Sequence, residues 1–394
     1  MKTKKLGLLT IPIVLAACGG GGGGGGSSTT ASTGSGDSTS SSSSSGATTG
    51  LTGAQLLAAY TVPTSITADK QTNYATAFSN NDTGVIARCS VAANTSTTVY
   101  VTPNAVVYAT TAVSDKAQAL AADLTEQSIA DVKSYFSQST TTVGFTGTRI
   151  NVCVDDQLGT STAMGTGGES GEGSTGVLTL MSIDSPNFST RYPNATSIYG
   201  TLSYVQLFQH ELVHVFVDSR LYPFAGGFER WFNEGVAQMV VGNALPAKAT
   251  VLSELDSADL ITASSSVSST NFNVYDAYQA LTQYVTNEGT VPNGVGSILT
   301  LINTLKTDAI AACKSSSLGL VPSAAQLVDM PTGYYNSCYV GAGGTDARVT
   351  ASFDSAWNVV MKDGDGTTPL LLHTADGANS LEATAHNRLA VYLQ

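Results

Sequence analysis

His210-Glu211-Leu212-Val213-His214 constrains this 394-residue chain more than any other segment. In a helix, side chains four residues apart lie one turn above each other on the same face, so both imidazoles can reach one ion. Glu211 is offset by about 100° around the axis and can reach a water on that ion rather than the ion itself. The whole chain has 4 histidines, so this spacing is hard to ascribe to chance. Val205, Phe208, Leu212, Val215 and Phe216 give the same helix, expected over about 201–217, a packing side. Packing explains those residues and leaves the two histidines unexplained.

Two imidazoles need a third ligand, and Trp231-Phe232-Asn233-Glu234-Gly235-Val236-Ala237 offers one. Glu234 falls on the next expected helix, about 228–242, where Phe232, Val236, Met239 and Val240 form a separate apolar side. Two nitrogens and one carboxylate suit Zn2+ and leave a fourth position for a water whose pKa the ion lowers. A carboxylate nearby can take the proton and later return it to a leaving amine.

These two segments resemble the gluzincin metallopeptidases, and the Asn-Glu-Gly-x-Ala form is nearest the aminopeptidase N and bacterial collagenase branches. The resemblance implies an α+β, zincin-like fold in which His210, His214 and Glu234 bind zinc and Glu211 is general base and acid. It also implies a strand pair before the first motif helix, matched by 149–154 and Gly176–Met181. By the same resemblance, Gly176–Met181 is the edge strand that holds a peptide substrate by backbone hydrogen bonds. Tyr275 corresponds to the tyrosine that donates to the tetrahedral oxyanion, with Tyr278 as alternate and core packing as the plain alternative for both. The segment 351–361, with Phe353 and Trp357, resembles a closing helix of these domains.

The sequence also departs from that pattern. Gln238 stands where thermolysin-like enzymes carry an acidic residue against a ligand histidine, and Asn233 and Gln238 are the candidates to touch the ligands from outside. The Gly-x-Met-x-Asn stretch that grips a free amino terminus is not evident, which favours endopeptidase over exopeptidase action.

The N-terminus reads as an address. Lys2, Lys4 and Lys5 precede an apolar run, Leu6 to Ala17, too short to span a membrane but suited to a signal peptide. Leu15-Ala16-Ala17-Cys18 resembles the lipobox of bacterial lipoproteins, which implies cleavage after residue 17 and lipid on Cys18. Residues 18–50 are a Gly/Ser-rich tether with no apolar surface to bury, and about 30 residues of such coil reach about 30 Å. The body is expected over 51–361, strand-rich to about 200 and mainly helical from about 201, with a loop tail over 362–394 that closes on a strand at 389–393.

A formal charge of −12 excludes a nucleic-acid partner, since nothing supplies the basic surface that phosphates need. The partners expected are a peptide or protein substrate and a membrane reached through the lipid anchor only, at a bacterial cell envelope (outer membrane or cell surface). Beside Cys18, four cysteines remain, and an oxidising compartment allows three connectivities. Cys89–Cys153 and Cys313–Cys338 are favoured because each pair stays within one half of the chain.

Elsewhere the residues read plainly. Asp363-Gly364-Asp365-Gly366 resembles the start of a calcium loop but lacks its turn glycine and closing glutamate, so a surface turn is expected. His373 and His386 are read as ordinary polar residues, Asp155-Asp156 as solvated, and 165–176 as a flexible polar loop beside the cleft. The chain thus reads as a lipid-anchored zinc metallopeptidase. The alternative is a surface binding lipoprotein that keeps a zincin fold without catalysis.

Overall fold

The computed structural model describes residues 51–78, 88–158, 165–169, 176–194, 198–222, 224, 226–268, 271–286, 293–313 and 347–394. The signal segment, the tether with Cys18, and Cys338 with its expected bridge to Cys313 lie outside these residues.

The architecture is mixed α+β. Its six-stranded sheet has the spatial order β1 (Lys70–Thr72), β2 (Thr98–Val101), β3 (Ala105–Ala109), β4 (Ile150–Asp155), β6 (Gly176–Met181), β5 (Gly165–Glu169). β3, β4 and β6 run parallel, while β1, β2 and β5 pair antiparallel with their neighbours. Every residue of β3 and β6 is buried, which is why those strands read as continuous apolar runs. On one face Val107, Val152, Leu178 and Leu180 join the main core. On the other, Val99, Val106, Tyr108 and Val177 pack with Phe78 and the Cys89–Cys153 disulfide, as expected for that pair.

The sheet corrects one expectation. Gly176–Met181 is an interior strand, because β5 covers its outer side with a full antiparallel register from Gly165↔Leu180 to Glu169↔Gly176. The edge belongs to β5, inside the stretch read as loop. Its sequence, Gly165-Thr166-Gly167-Gly168-Glu169, carries no β-branched or aromatic pattern beyond one threonine. The ladder to β6, rather than local propensity, makes it a strand.

The long helix α3 (Asp115–Tyr135) packs against the sheet, the short helices α1 (Gly53–Ala59) and α2 (Thr64–Ala68) rest on α3, and α4 (Phe188–Arg191) follows β6. Ser114 caps α3, its side chain accepting from the Ala117 amide. A hairpin of β7 (Ile198–Tyr199) and β8 (Leu202–Ser203) leads into α5 (Tyr204–Leu221), the helix of the two histidines. A reciprocal cap fixes its start: Ser203 Oγ accepts from the Gln206 amide and Gln206 Oε1 accepts from the Ser203 amide. α5 is buried nearly all round, since it lies against β5, β6 and α3 and also against α6 (Arg230–Val240).

The remaining helices are α7 (Lys248–Ser257), α8 (Phe272–Thr286), α9 (Gly296–Ala312), α10 (Ala347–Val360) and α11 (Leu381–Tyr392). α6 packs on α8, and α10 on α9. Trp231 and Phe232 of α6 meet Phe353 and Trp357 of α10 with ring centroids 5.2–6.2 Å apart, each pair adding about 0.5–1.5 kcal/mol to its area burial.

The C-terminal segment also departs from expectation: in place of a loop with a closing strand it carries α11. Ser380 caps that helix, and Leu381, Ala385 and Leu389, spaced by four, are buried along one side. Arg388 grips both oxygens of Asp363, at 2.6 and 2.9 Å, and Asp365 accepts the Thr367 and Thr368 amides, so the calcium-loop-like sequence is a turn. Asp155 and Asp156 are buried rather than solvated: Arg88 donates to both, at 3.0 and 2.9 Å, and Thr110 donates to Asp156 at 2.5 Å.

Candidate metal centre

Helix geometry brings the site together in two steps. Within α5, the four-residue spacing sets the rings of His210 and His214 edge to face, nearly perpendicular, with centroids 4.9 Å apart. Across to α6, Glu234 is held against them because its helix is seated deeply on α8. Gly235 is the reason: a Cβ there would run into Thr282 Oγ1 and the Tyr278 carbonyl, closer than van der Waals contact permits. The glycine of the Asn-Glu-Gly segment is thus required by close backbone approach.

His210 Nε2 and His214 Nε2 lie 3.2 Å apart, and Glu234 Oε2 is 3.2 Å from the first and 3.5 Å from the second. Ligands about 2.0–2.1 Å from a tetrahedral zinc ion are separated by about 3.3–3.4 Å, so these three atoms fit three corners of such a site. The donor set suits the same ion, and the histidines are only 5% and 7% exposed. Burial would depress the His214 imidazole, but the adjacent Glu234 carboxylate, with Glu211 and Asp218 behind it, lifts it to about 9. Burial would likewise raise Glu234, yet His214 and His210 hold it well below the usual carboxylate range.

The surroundings of the ligands differ from expectation. His210 Nδ1 and His214 Nδ1 are buried and make no hydrogen bond among the described residues. Gln238 does not serve them: its amide donates to Thr201 Oγ1 at 2.6 Å, and its carbonyl accepts from Asn243 at 3.2 Å. Those bonds tie the end of α6 to the hairpin before α5, which is a bracing role. Asn233 Oδ1 is buried without a hydrogen-bond partner among the described residues.

Glu211 is buried beside the triad. Its charge reaches two phenols: burial raises the pKa of Tyr192 and Glu211 raises it further, and burial followed by Glu234, with a smaller part from Glu211, raises Tyr275. Tyr275 and Tyr278 are distinguished by their hydroxyls. Tyr278 is fully buried and donates to the Ser264 carbonyl at 3.4 Å, whereas Tyr275 accepts from Arg230 at 3.4 Å. Accepting from the guanidinium leaves the Tyr275 proton free to be donated elsewhere.

Sequence reasoning overlooked two features. Arg230 anchors the start of α6 through the Val267 carbonyl at 2.5 Å and feels the Glu234 charge; its place four residues before Glu234 was the available signal. His373 is no ordinary surface histidine, for its Nε2 lies 2.6 Å from Glu229 Oε1 and 3.3 Å from Asp354 Oδ1. His386, by contrast, is half exposed beside Asp256 and matches its plain reading.

Comparison of the chain with protein-family models, curated proteins and solved structures returned no match. The functional reading therefore rests on the side chains themselves.

Proposed function

We propose that this chain is a zinc metallopeptidase of the gluzincin kind, carried on a zincin-like fold and anchored to a bacterial cell envelope through lipid on Cys18. The observation that carries the reading is the convergence of His210 Nε2, His214 Nε2 and Glu234 Oε2 to 3.2–3.5 Å, with Glu211 buried one residue along. Such a constellation supports hydrolysis over passive binding, because a buried carboxylate next to the first histidine is in position to move a proton.

Zinc, when bound by these three residues, supplies Lewis acidity that makes water nucleophilic at neutral pH and polarises a carbonyl. Glu211 takes the proton from the attacking water and delivers it to the leaving amine. Tyr275, with Arg230 donating to its oxygen, turns its hydroxyl hydrogen toward the oxyanion that develops on the substrate. Among the described residues β5 is the last strand of the sheet, and it packs against α5; an extended peptide adding to its outer edge would lie along the helix of the two histidines. On this reading the backbone of Gly165–Glu169 recognises the substrate, which favours cleavage within a chain over removal of a terminal residue.

The test uses the full chain. Zinc retained after exhaustive dialysis, and lost in Glu234→Ala, supports the ligand set. Cleavage of a peptide library that disappears in Glu211→Gln while zinc is kept supports the reaction. Undiminished hydrolysis by Glu211→Gln overturns it, and a zinc-loaded native chain that cuts nothing favours the binding-protein alternative.

A further inference from the structure

From the opposite end of α6 to Gln238, we infer that Glu229, Asp354 and His373 form a second binding site for a divalent transition metal, separate from the triad of His210, His214 and Glu234. Three remote parts of the chain supply the ligand atoms: Glu229 immediately before α6, Asp354 in α10 and His373 in the C-terminal segment. All three atoms lie within 4.8 Å of one another.

The hydrogen bonds around His373 decide which nitrogen faces the carboxylates. Thr262 Oγ1 donates its single hydrogen to Glu382 Oε1 at 2.8 Å, so it can only accept from His373 Nδ1, 2.6 Å away. Nδ1 therefore carries a hydrogen, and Nε2 is the nitrogen presented to Glu229 and Asp354, where its own hydrogen, donated to Glu229 Oε1 at 2.6 Å, is the one a metal ion would replace. A ligand histidine is ordinarily oriented in this way, with its remote N–H held by an acceptor that is itself hydrogen-bonded. Glu229 is prepared on its other side, since Trp231 Nε1 donates to Oε2 at 2.7 Å and leaves Oε1 directed at the site. Asp354 Oδ1 is shut off from solvent and makes no hydrogen bond, although it sits at ion-pair distance from Nε2.

Charge points the same way. Glu229, Asp354 and Glu382 surround one imidazole, so even a protonated His373 leaves an excess of negative charge that a divalent ion would neutralise. One imidazole and two carboxylates, with no thiolate, suit Zn2+ or Mn2+. His373 is held at φ 53°, a left-handed conformation costly for a residue with a Cβ, and its three partners fix it there. An ion at this point would pin the C-terminal segment to the start of the helix that carries Glu234.

Metal content at equilibrium with a zinc buffer, in the full chain and in His373→Ala, tests the assignment. A fall of about one equivalent in the variant supports it. A fall from two equivalents to one leaves the triad filled; a fall from one to none supports the second site while counting against the triad. Equal metal content in the two proteins overturns the inference, as does a native chain that binds none. Asp354→Asn repeats the measurement should His373→Ala fail to fold. Thr262→Val, which removes the acceptor of Nδ1–H without touching a ligand, should weaken this site roughly ten- to a hundredfold and leave the other unchanged.

Discussion

The two histidine–carboxylate clusters are built on opposite plans. In the first, two imidazoles one helical turn apart converge through Nε2, and their Nδ1 atoms are buried with no hydrogen bond among the described residues. In the second, a single imidazole is held from behind by Thr262 and Glu382 and faces two carboxylates drawn from distant parts of the chain. A buried helix can aim its rings by packing alone: Phe208, Leu212, Val213 and Phe216 around the histidines are wholly inaccessible. A loop histidine on the surface has no such packing and must be oriented by hydrogen bonds. Rigidity thus comes from the core at one site and from a polar network at the other.

The most severe way to separate the clusters is Glu211→Gln. Hydrolysis should fall by roughly 10²–10⁴-fold, with zinc content and melting temperature unchanged, as peptide cleavage and metal analysis would show. No substitution in the Glu229–Asp354–His373 cluster should reproduce that pattern; if one does, the two regions are coupled through α6.

Gly235→Ala attacks the packing that aims the first site. The added methyl must push α6 from α8, which should cost about 1–3 kcal/mol in denaturant unfolding and weaken zinc retention together. Intact zinc affinity in a destabilised protein would mean that Glu234 is positioned independently of that contact.

His373→Ala should cost less, roughly 1–2 kcal/mol, because its ion pairs are partly open to solvent. Limited proteolysis should reveal the loss first in the C-terminal segment. First cleavage elsewhere would deny it a clasping role.

A third acidic cluster sharpens the contrast by pH. Burial would raise Asp156, but hydrogen bonds from Thr110, Gln157 and Arg88 hold its pKa below the ordinary 3.8. Its stabilising contribution is present above that value and is lost as pH falls through the lowered one. Asp156→Asn should therefore lower stability near pH 7 by about 1–2 kcal/mol, with a smaller deficit once the pH has fallen through the lowered pKa, read from unfolding curves at neutral and at acid pH. An equal deficit at both would assign the loss to shape rather than charge.

Much of this was written in local pattern. The helix starting after Ser114, the apolar strands at 105–109, 150–155 and 176–181, and the turn at Asp363 follow from capping, burial on both faces and glycine placement. Other elements were invisible to it. β5 is strand only because β6 offers a ladder, and the apolar spacing of α11 is too sparse to announce a helix without the core it meets. The solvated reading of Asp155 and Asp156 failed because Arg88 approaches from more than sixty residues away.

The sequence alone determined that His210 and His214 share one helix face, since a helix converts a four-residue spacing into proximity without help from the rest of the chain, whereas Glu234 joins them only through the seating of α6 on α8. Tertiary structure alone decided that Tyr275 rather than Tyr278 keeps a free hydroxyl hydrogen, that Gln238 braces a hairpin, and that His373 meets Glu229 across 144 residues. Contacts of that separation are set by how whole helices stack, and no local spacing encodes them.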